Sequence, residues 1–273
     1  LFQKSRASSP GFFYKVDKML NKIVRALAYL LNGYVSPWRV VRGVLALFFA
    51  KEVKHQGKWL CVRHDALSSW MRAIFCLGMY ELPESRVIRR VLKPTDKVLE
   101  LGAGAGFVTM LCADIVGAKQ VLACEVNAEI IPLLKQNLAR NGCRGIRVVN
   151  QALSANPVDI RKGYTLFYPH QHFHSASTYT GDTKNARRVK VANIKNILAQ
   201  FKPTALMMDI EGEELRLLRQ IKNFGTLQTL IFEVHPSLAS AGELLALDEH
   251  LRGQGFLRDE EAECFDVRVY RHG

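Results

Sequence analysis

From residue 97 onward, short apolar runs alternate with stretches of helical periodicity, a glycine-rich turn follows the first of those runs, and two closely spaced strands end the chain. These observations predict a Rossmann-like α/β fold whose sheet is mostly parallel and covered on both faces by helices. A length of 273 residues suits one such domain with an N-terminal extension.

The elements follow in order. Lys97–Leu101 reads as the first strand, Phe107–Val116 as its helix, Gln120–Glu125 as the second strand and Ala128–Asn141 as the second helix. Ile146–Asn150 supplies a third strand. Residues 154–195 are less regular, with strands near Tyr164–Tyr168 and Val189–Val191, and are long enough for a substrate-facing insertion. Alternation resumes with strand Ala205–Ile210, helix Glu213–Phe224, strand Thr229–Val234 and helix Gly242–Arg252. Phe256–Asp259 and Phe265–Tyr270 close the chain as a hairpin through Glu260–Glu263, an antiparallel ending that a nicotinamide-binding fold lacks.

Ahead of this region, residues 1–11 read as a tail. Met19, Leu20, Ile23, Val24, Leu27, Leu30 and Leu31 then mark one amphipathic helix, and a second runs from Trp38 to Val53. The expected division is therefore a basic amphipathic helical extension over 1–70 and a catalytic domain over 71–273. Apolar stripes of this kind pack on a domain first of all; a membrane surface and a dimer interface are the alternatives.

Of the net charge of +13, +9 falls within residues 1–65. Such an extension attracts an anionic partner, whether nucleic acid, acidic lipid or phosphorylated substrate, or else forms a solvated face. The six cysteines form no CxxC pair, which points to a reducing, cytoplasmic setting without structural zinc. Val44–Ala50, the longest apolar stretch near the N-terminus, is far short of the roughly 20 residues that span a bilayer. Peripheral attachment is the membrane reading that survives. The chain starts with Leu, which leaves a missing native start open.

The chemistry gathers at Glu100-Leu101-Gly102-Ala103-Gly104-Ala105-Gly106, where a strand turns into a helix. Glycines permit a tight bend and close backbone approach by a ligand, and the helix N-terminus offers N–H groups. A carboxylate directly before the first glycine attracts an ammonium and repels a pyrophosphate, which favours S-adenosylmethionine over a dinucleotide. Glu125, ending the next strand, can accept both ribose hydroxyls, a role that serves either nucleotide.

With Tyr80-Glu81, the run from Val98 to Phe107, Cys124–Asn127, the segment Asn150–Ser154, Asp209–Glu214 and Phe232–Pro236, the chain resembles the FkbM family of methyltransferases. The resemblance covers about residues 77–236. It implies a class I methyltransferase fold, with a mostly parallel seven-stranded sheet and an antiparallel C-terminal strand, and methyl transfer to an oxygen of a sugar or small metabolite. It places Glu81, Glu100, Gly102, Ala103, Gly104, Glu125, Val126, Asn127, Gln151, Ala152 and Asp209 around S-adenosyl-L-methionine, and His174, Ser175 and Ser177 beside the acceptor. Where the family often has Lys two residues before the Asp of its DxEG element, this chain has Met207, and the family pattern does not explain the first 70 residues.

Asp209, Glu211 and His235 are the candidates for removing the acceptor's proton. His235 comes first because an ordinary imidazole titrates nearest neutrality, while a purely structural hydrogen bond beside Pro236 is the other reading. His170, His172 and His174 would share one face of a strand, but they lack a carboxylate partner, so no metal is expected. Two other functions fit the sequence: methylation of nucleic-acid ribose helped by the basic N-terminus, and a non-catalytic cofactor-binding scaffold.

Overall fold

The computed structural model describes residues 43, 45–167, 186–235 and 238–273. Its central feature is a seven-stranded sheet. Along the chain its strands are β3 (Val98–Leu101), β4 (Val121–Cys124), β5 (Arg147–Val149), β9 (Ala205–Met208), β10 (Thr229–Glu233), β11 (Phe256–Arg258) and β12 (Val267–His272). In space the order is β11-β12-β10-β9-β3-β4-β5, and the chain reverses direction between β3 and β9. β9, β3, β4, β5 and β10 are parallel, whereas β12 runs antiparallel to both of its neighbours. This is the predicted Rossmann-like class I methyltransferase architecture.

Side chains alternate between the two faces along the central strands, and both faces are buried, as in a doubly covered sheet. Val98, Val121, Ala123, Ala205, Met207 and Ile231 join one buried cluster, while Leu99, Leu122, Leu206, Met208, Leu230 and Phe232 join the other. The first cluster holds α1 (Ser69–Leu77), α2 (Leu82–Val91), α3 (Phe107–Val116) and α4 (Ile131–Arg140); the second holds α6 (Ile194–Phe201), α7 (Glu214–Gln220) and α8 (Ala241–Gly253). Between α4 and α6 lies a separate three-stranded sheet. It contains β6 (Ala152–Ser154), β7 (Tyr164–Phe167) and β8 (Arg187–Asn193) in the order β6-β8-β7, with α5 (Pro157–Lys162) joining β6 to β7.

The N-terminal reading needs correction. The helix expected from Trp38 to Val53 is helical at 45–49 but ends there, and Val53 lies in β1 (Glu52–His55). The Arg63 guanidinium donates to the Leu47, Phe48 and Ala50 carbonyls and so stops the helix. β1 pairs antiparallel with β2 (Lys58–Cys61), and Leu60, Cys61 and Val62 enter the same core as Val98. The stretch 52–61 is thus a hairpin embedded in the catalytic body. Helices α1 and α2, which the sequence reading left unassigned, follow it. The tail and the Met19–Leu31 helix lie outside the described residues, and among the described residues no helix is long and apolar enough to cross a membrane.

Two asparagines one turn apart on α4 fasten the hairpin. Asn141 Oδ1 accepts the Trp59 N–H at 2.8 Å and its Nδ2 donates to the Trp59 carbonyl at 2.8 Å. Asn137, 1% exposed, accepts the Cys61 N–H at 2.9 Å and donates to the Ala105 carbonyl at 2.9 Å. The amide groups thus take the place of a neighbouring strand along β2, and Asn137 also ties the hairpin to the glycine turn. Asn137→Ala leaves a buried N–H and a buried carbonyl unpaired and is expected to cost roughly 3 kcal/mol. A lowered urea midpoint with unchanged slope would register this loss, and a midpoint equal to that of the parent would rule the linkage out as a source of stability.

Candidate active site

The glycine turn follows β3. The N–H groups of Gly102 and Ala103 both donate to the Cys124 carbonyl, at 2.9 and 3.1 Å, which locks the turn against the end of β4. Gly102 has φ +85°, and a Cβ there would lie 1.8 Å from the Asp209 carbonyl oxygen. Only glycine fits. Gly106, also at φ +85°, caps α3, and a Cβ on it would meet Leu134 Cδ1 at 2.4 Å.

Glu125, 5% exposed, accepts the Gly104 N–H on Oε2 at 2.8 Å and the Asn127 N–H on Oε1 at 2.7 Å. Both oxygens are aimed by the backbone, and each keeps a lone pair for a ligand hydroxyl. Burial raises its pKa, and these N–H groups oppose the rise. Asn150 Nδ2 donates to the Glu125 and Val126 carbonyls at 2.7 and 3.1 Å, fixing the corner from β5. Asn127 is buried and turns its Oδ1 to the Glu129 N–H; Gln151 and Ala152 are partly exposed at the start of β6.

Glu81, Glu84, Glu100 and Asp209 line one cavity beside Gly102 and Met207. Glu100 is 2% exposed, its Oε2 has no hydrogen-bond partner, and burial lifts its pKa to about 7. Met207 stands opposite Glu100 across the β3–β9 pairing, so the position that often carries lysine in the resembling family here presents an apolar neighbour. Glu81 adopts a left-handed conformation, φ 47°, and its Oε2 accepts the Val108 N–H at 3.3 Å. Burial drives its pKa well upward, and the adjacent Glu84 charge adds to the effect. Fully buried His55 holds this corner, its Nε2 2.7 Å from the Tyr80 carbonyl and its ring 4.4 Å from that of Phe107.

Across the cleft, Asp209 follows β9 and its N–H donates to the Leu101 carbonyl at 3.0 Å. Glu211 is held at φ 56°, a conformation that costs a non-glycine residue about 1–3 kcal/mol and often marks functional sites. The turn is braced by Glu214, fully buried, which accepts from Ile210 N at 2.6 Å and Gly212 N at 2.9 Å. His235 Nε2 lies 3.4 Å from Asp209 Oδ1 and 3.6 Å from Glu214 Oε1. Burial opposes charge on this imidazole, but the two carboxylates prevail and push its pKa well above the ordinary range. Asp209 and Glu214 thus stabilise a proton on this imidazole relative to a free one.

The structure therefore gathers Glu81, Glu100, Gly102 and Asp209 around one cavity, joins Gly104, Glu125 and Asn127 by hydrogen bonds, and sets His235 against Asp209. His174, Ser175 and Ser177 lie outside the described residues, as do His170 and His172. Sequence reasoning gave no role to His55, Glu84, Asn150 or Glu214. Glu214 and Asn150 sat inside quoted motifs, whereas His55 had no local signal.

The profile of the Methyltransferase FkbM domain matches residues 100–257. The protein-lysine N-methyltransferase EFM3 of Chaetomium thermophilum is 28% identical over 100 residues, which are 37% of this chain and 26% of that protein; the match thus spans about a quarter of the relative's length. Among solved structures, a ribosomal protein L11 methylase from Lactobacillus delbrueckii subsp. bulgaricus aligns with TM-score 0.43 and 15% identity over 72% of this chain and 80% of that one. A SAM-dependent methyltransferase from Aquifex aeolicus aligns with TM-score 0.38 and 15% identity, covering 70% and 92% of the two chains. The family's cofactor, S-adenosylmethionine, fits what the cleft offers: a bend that only glycine can make beside an unpartnered buried carboxylate.

Because the Gly102 backbone touches the Asp209 carbonyl, Gly102→Ala should disturb turn and cleft together. Strain of this class predicts a loss of S-adenosylhomocysteine affinity on the order of 10-fold or more by calorimetry. Unchanged affinity would mean that the ligand does not depend on this turn.

Proposed function

The chain belongs to the FkbM methyltransferase family, and we propose that it moves a methyl group from S-adenosylmethionine to a hydroxyl oxygen of a sugar or another small metabolite. The observation that carries this reading is the buried Glu100 carboxylate, whose Oε2 lacks a hydrogen-bond partner, beside the Gly102 bend and facing the Asp209 turn across one cavity. Bound cofactor supplies the electrophilic methyl group. Glu100, with Glu81, suits its ammonium, and Glu125 suits its ribose hydroxyls; Ala103, Gly104, Val126, Asn127, Gln151 and Ala152 complete the rim.

The acceptor enters at the C-terminal ends of β9 and β10, where open α/β sheets bind ligands. Asp209, Glu211 and His235 orient its oxygen and receive its proton. The carboxylates beside His235 stabilise a proton that it receives. His174, Ser175 and Ser177 are assigned to the acceptor side by family resemblance. Exposed Phe48 and Phe49, next to the basic first quarter of the sequence, support peripheral contact with an anionic surface.

A second reading, transfer to a lysine nitrogen, is favoured by the matching lysine methyltransferase and by the acidic cleft, which suits a cationic acceptor. Labelled S-adenosylmethionine incubated with a cell extract separates the two: label is expected in the small-molecule fraction, and label confined to protein would overturn the hydroxyl reading.

His235→Ala should lower kcat by ~100-fold while S-adenosylhomocysteine affinity stays within ~2-fold; full turnover in the variant would remove His235 from the reaction. The ionised form of Glu100 attracts an ammonium, and its pKa is raised to about 7. Cofactor affinity should consequently fall as pH drops below that value, approaching 10-fold per pH unit, with proton release on binding seen as buffer-dependent heat. A flat profile from about pH 5 to about pH 8 would exclude this carboxylate as the ammonium partner.

A further inference from the structure

We propose that Asp209, Glu233 and His235 form a binding site for a divalent transition-metal ion at the mouth of the sheet. The proposal rests on the methyltransferase reading of the same cleft. One donor atom from each of the three residues lies within 4.8 Å of the other two. The topology explains why they meet. β9 and β10 run parallel with Met208 opposite Phe232, so Asp209 and Glu233 leave the sheet side by side, and His235 follows two residues later.

The spacing is that of ligands and not of a hydrogen-bonded pair. Asp209 Oδ1 and His235 Nε2 are 3.4 Å apart, both are shielded from solvent, and neither has a hydrogen-bond partner. Such a separation is too long for a good N–H···O bond. It matches the edge of about 3.4 Å between two donors that each lie ~2.1 Å from a shared tetrahedral ion. An ion coordinated by both would satisfy two buried polar atoms that otherwise make only this long charged contact.

Glu214 completes the surroundings. Its Oε1 is 3.6 Å from Nε2, but its two oxygens already accept the Ile210 and Gly212 N–H groups. It therefore fixes the turn that carries Asp209 and adds negative charge from outside the ligand set, the usual office of a supporting carboxylate. Two carboxylates and one imidazole leave coordination positions open, the pattern of a catalytic metal. The mixed nitrogen and oxygen donors suit Mn²⁺, Fe²⁺, Co²⁺ or Zn²⁺. An ion there would present an open position to the acceptor oxygen and make its hydroxyl more acidic. The expectation of no metal considered only the triplet His170, His172 and His174.

The test uses the full chain, stripped with chelator and titrated with Mn²⁺ under electron paramagnetic resonance. The expected result is saturable binding of about one ion per chain with nitrogen coupling from an imidazole. His235→Gln should abolish that coupling, and Glu233→Gln should weaken Mn²⁺ binding ~10-fold or more. S-adenosylhomocysteine binding by each variant reports an intact fold. Cofactor binding without saturable Mn²⁺ uptake, or Mn²⁺ bound without nitrogen coupling, would overturn the site while leaving the methyltransferase reading in place. Loss of cofactor binding by the parent protein would instead sink that underlying reading.

Discussion

A carboxylate removed from water costs several kcal/mol unless other groups take over its solvation. At the C-terminal edge of this sheet, main-chain N–H groups do so. Glu125 takes two, Glu214 takes two and Glu81 takes one, and in each case the donors belong to the turns that shape the cleft. The acids consequently work as fasteners for the irregular backbone as well as carriers of charge. The same N–H groups oppose the effect of burial, which raises the pKa of Glu125. Glu100 is the member left unfastened on one oxygen, and burial raises its pKa to about 7.

Much of the architecture was legible in the amino-acid pattern, because a doubly covered sheet writes itself as continuous apolar runs: Val98–Leu101, Val121–Cys124 and Ala205–Met208 are buried at every position. The glycine turn and its flanking acids were legible for a related reason, since their chemistry is local to a few consecutive residues. The hairpin escaped because its anchoring bonds join positions 76 and 82 residues apart, Cys61 to Asn137 and Trp59 to Asn141. Nothing near Trp59 in the sequence announces them. Val53 extended a helical stripe by its spacing alone, whereas the termination comes from Arg63, ten residues further on.

The behaviour of His235 was hidden in the same way. An isolated histidine titrates near neutrality, and only the fold shows Asp209 and Glu214 converging on this one to raise its pKa. Met207 illustrates the opposite case, a single position whose identity was noted at once but whose meaning required a partner. Opposite Glu100 it offers no compensating charge to the carboxylate.

The close approach of Gly102 to the Asp209 carbonyl has one more consequence. The Asp209 N–H also bonds to the Leu101 carbonyl at 3.0 Å, so the two turns cannot move separately. Whatever settles one of them pre-shapes the other, and by thermodynamic reciprocity a ligand held by one turn and a ligand held by the other must alter each other's hold by the same factor. Such coupling sets no order of arrival: whichever partner comes first prepares the place of the next.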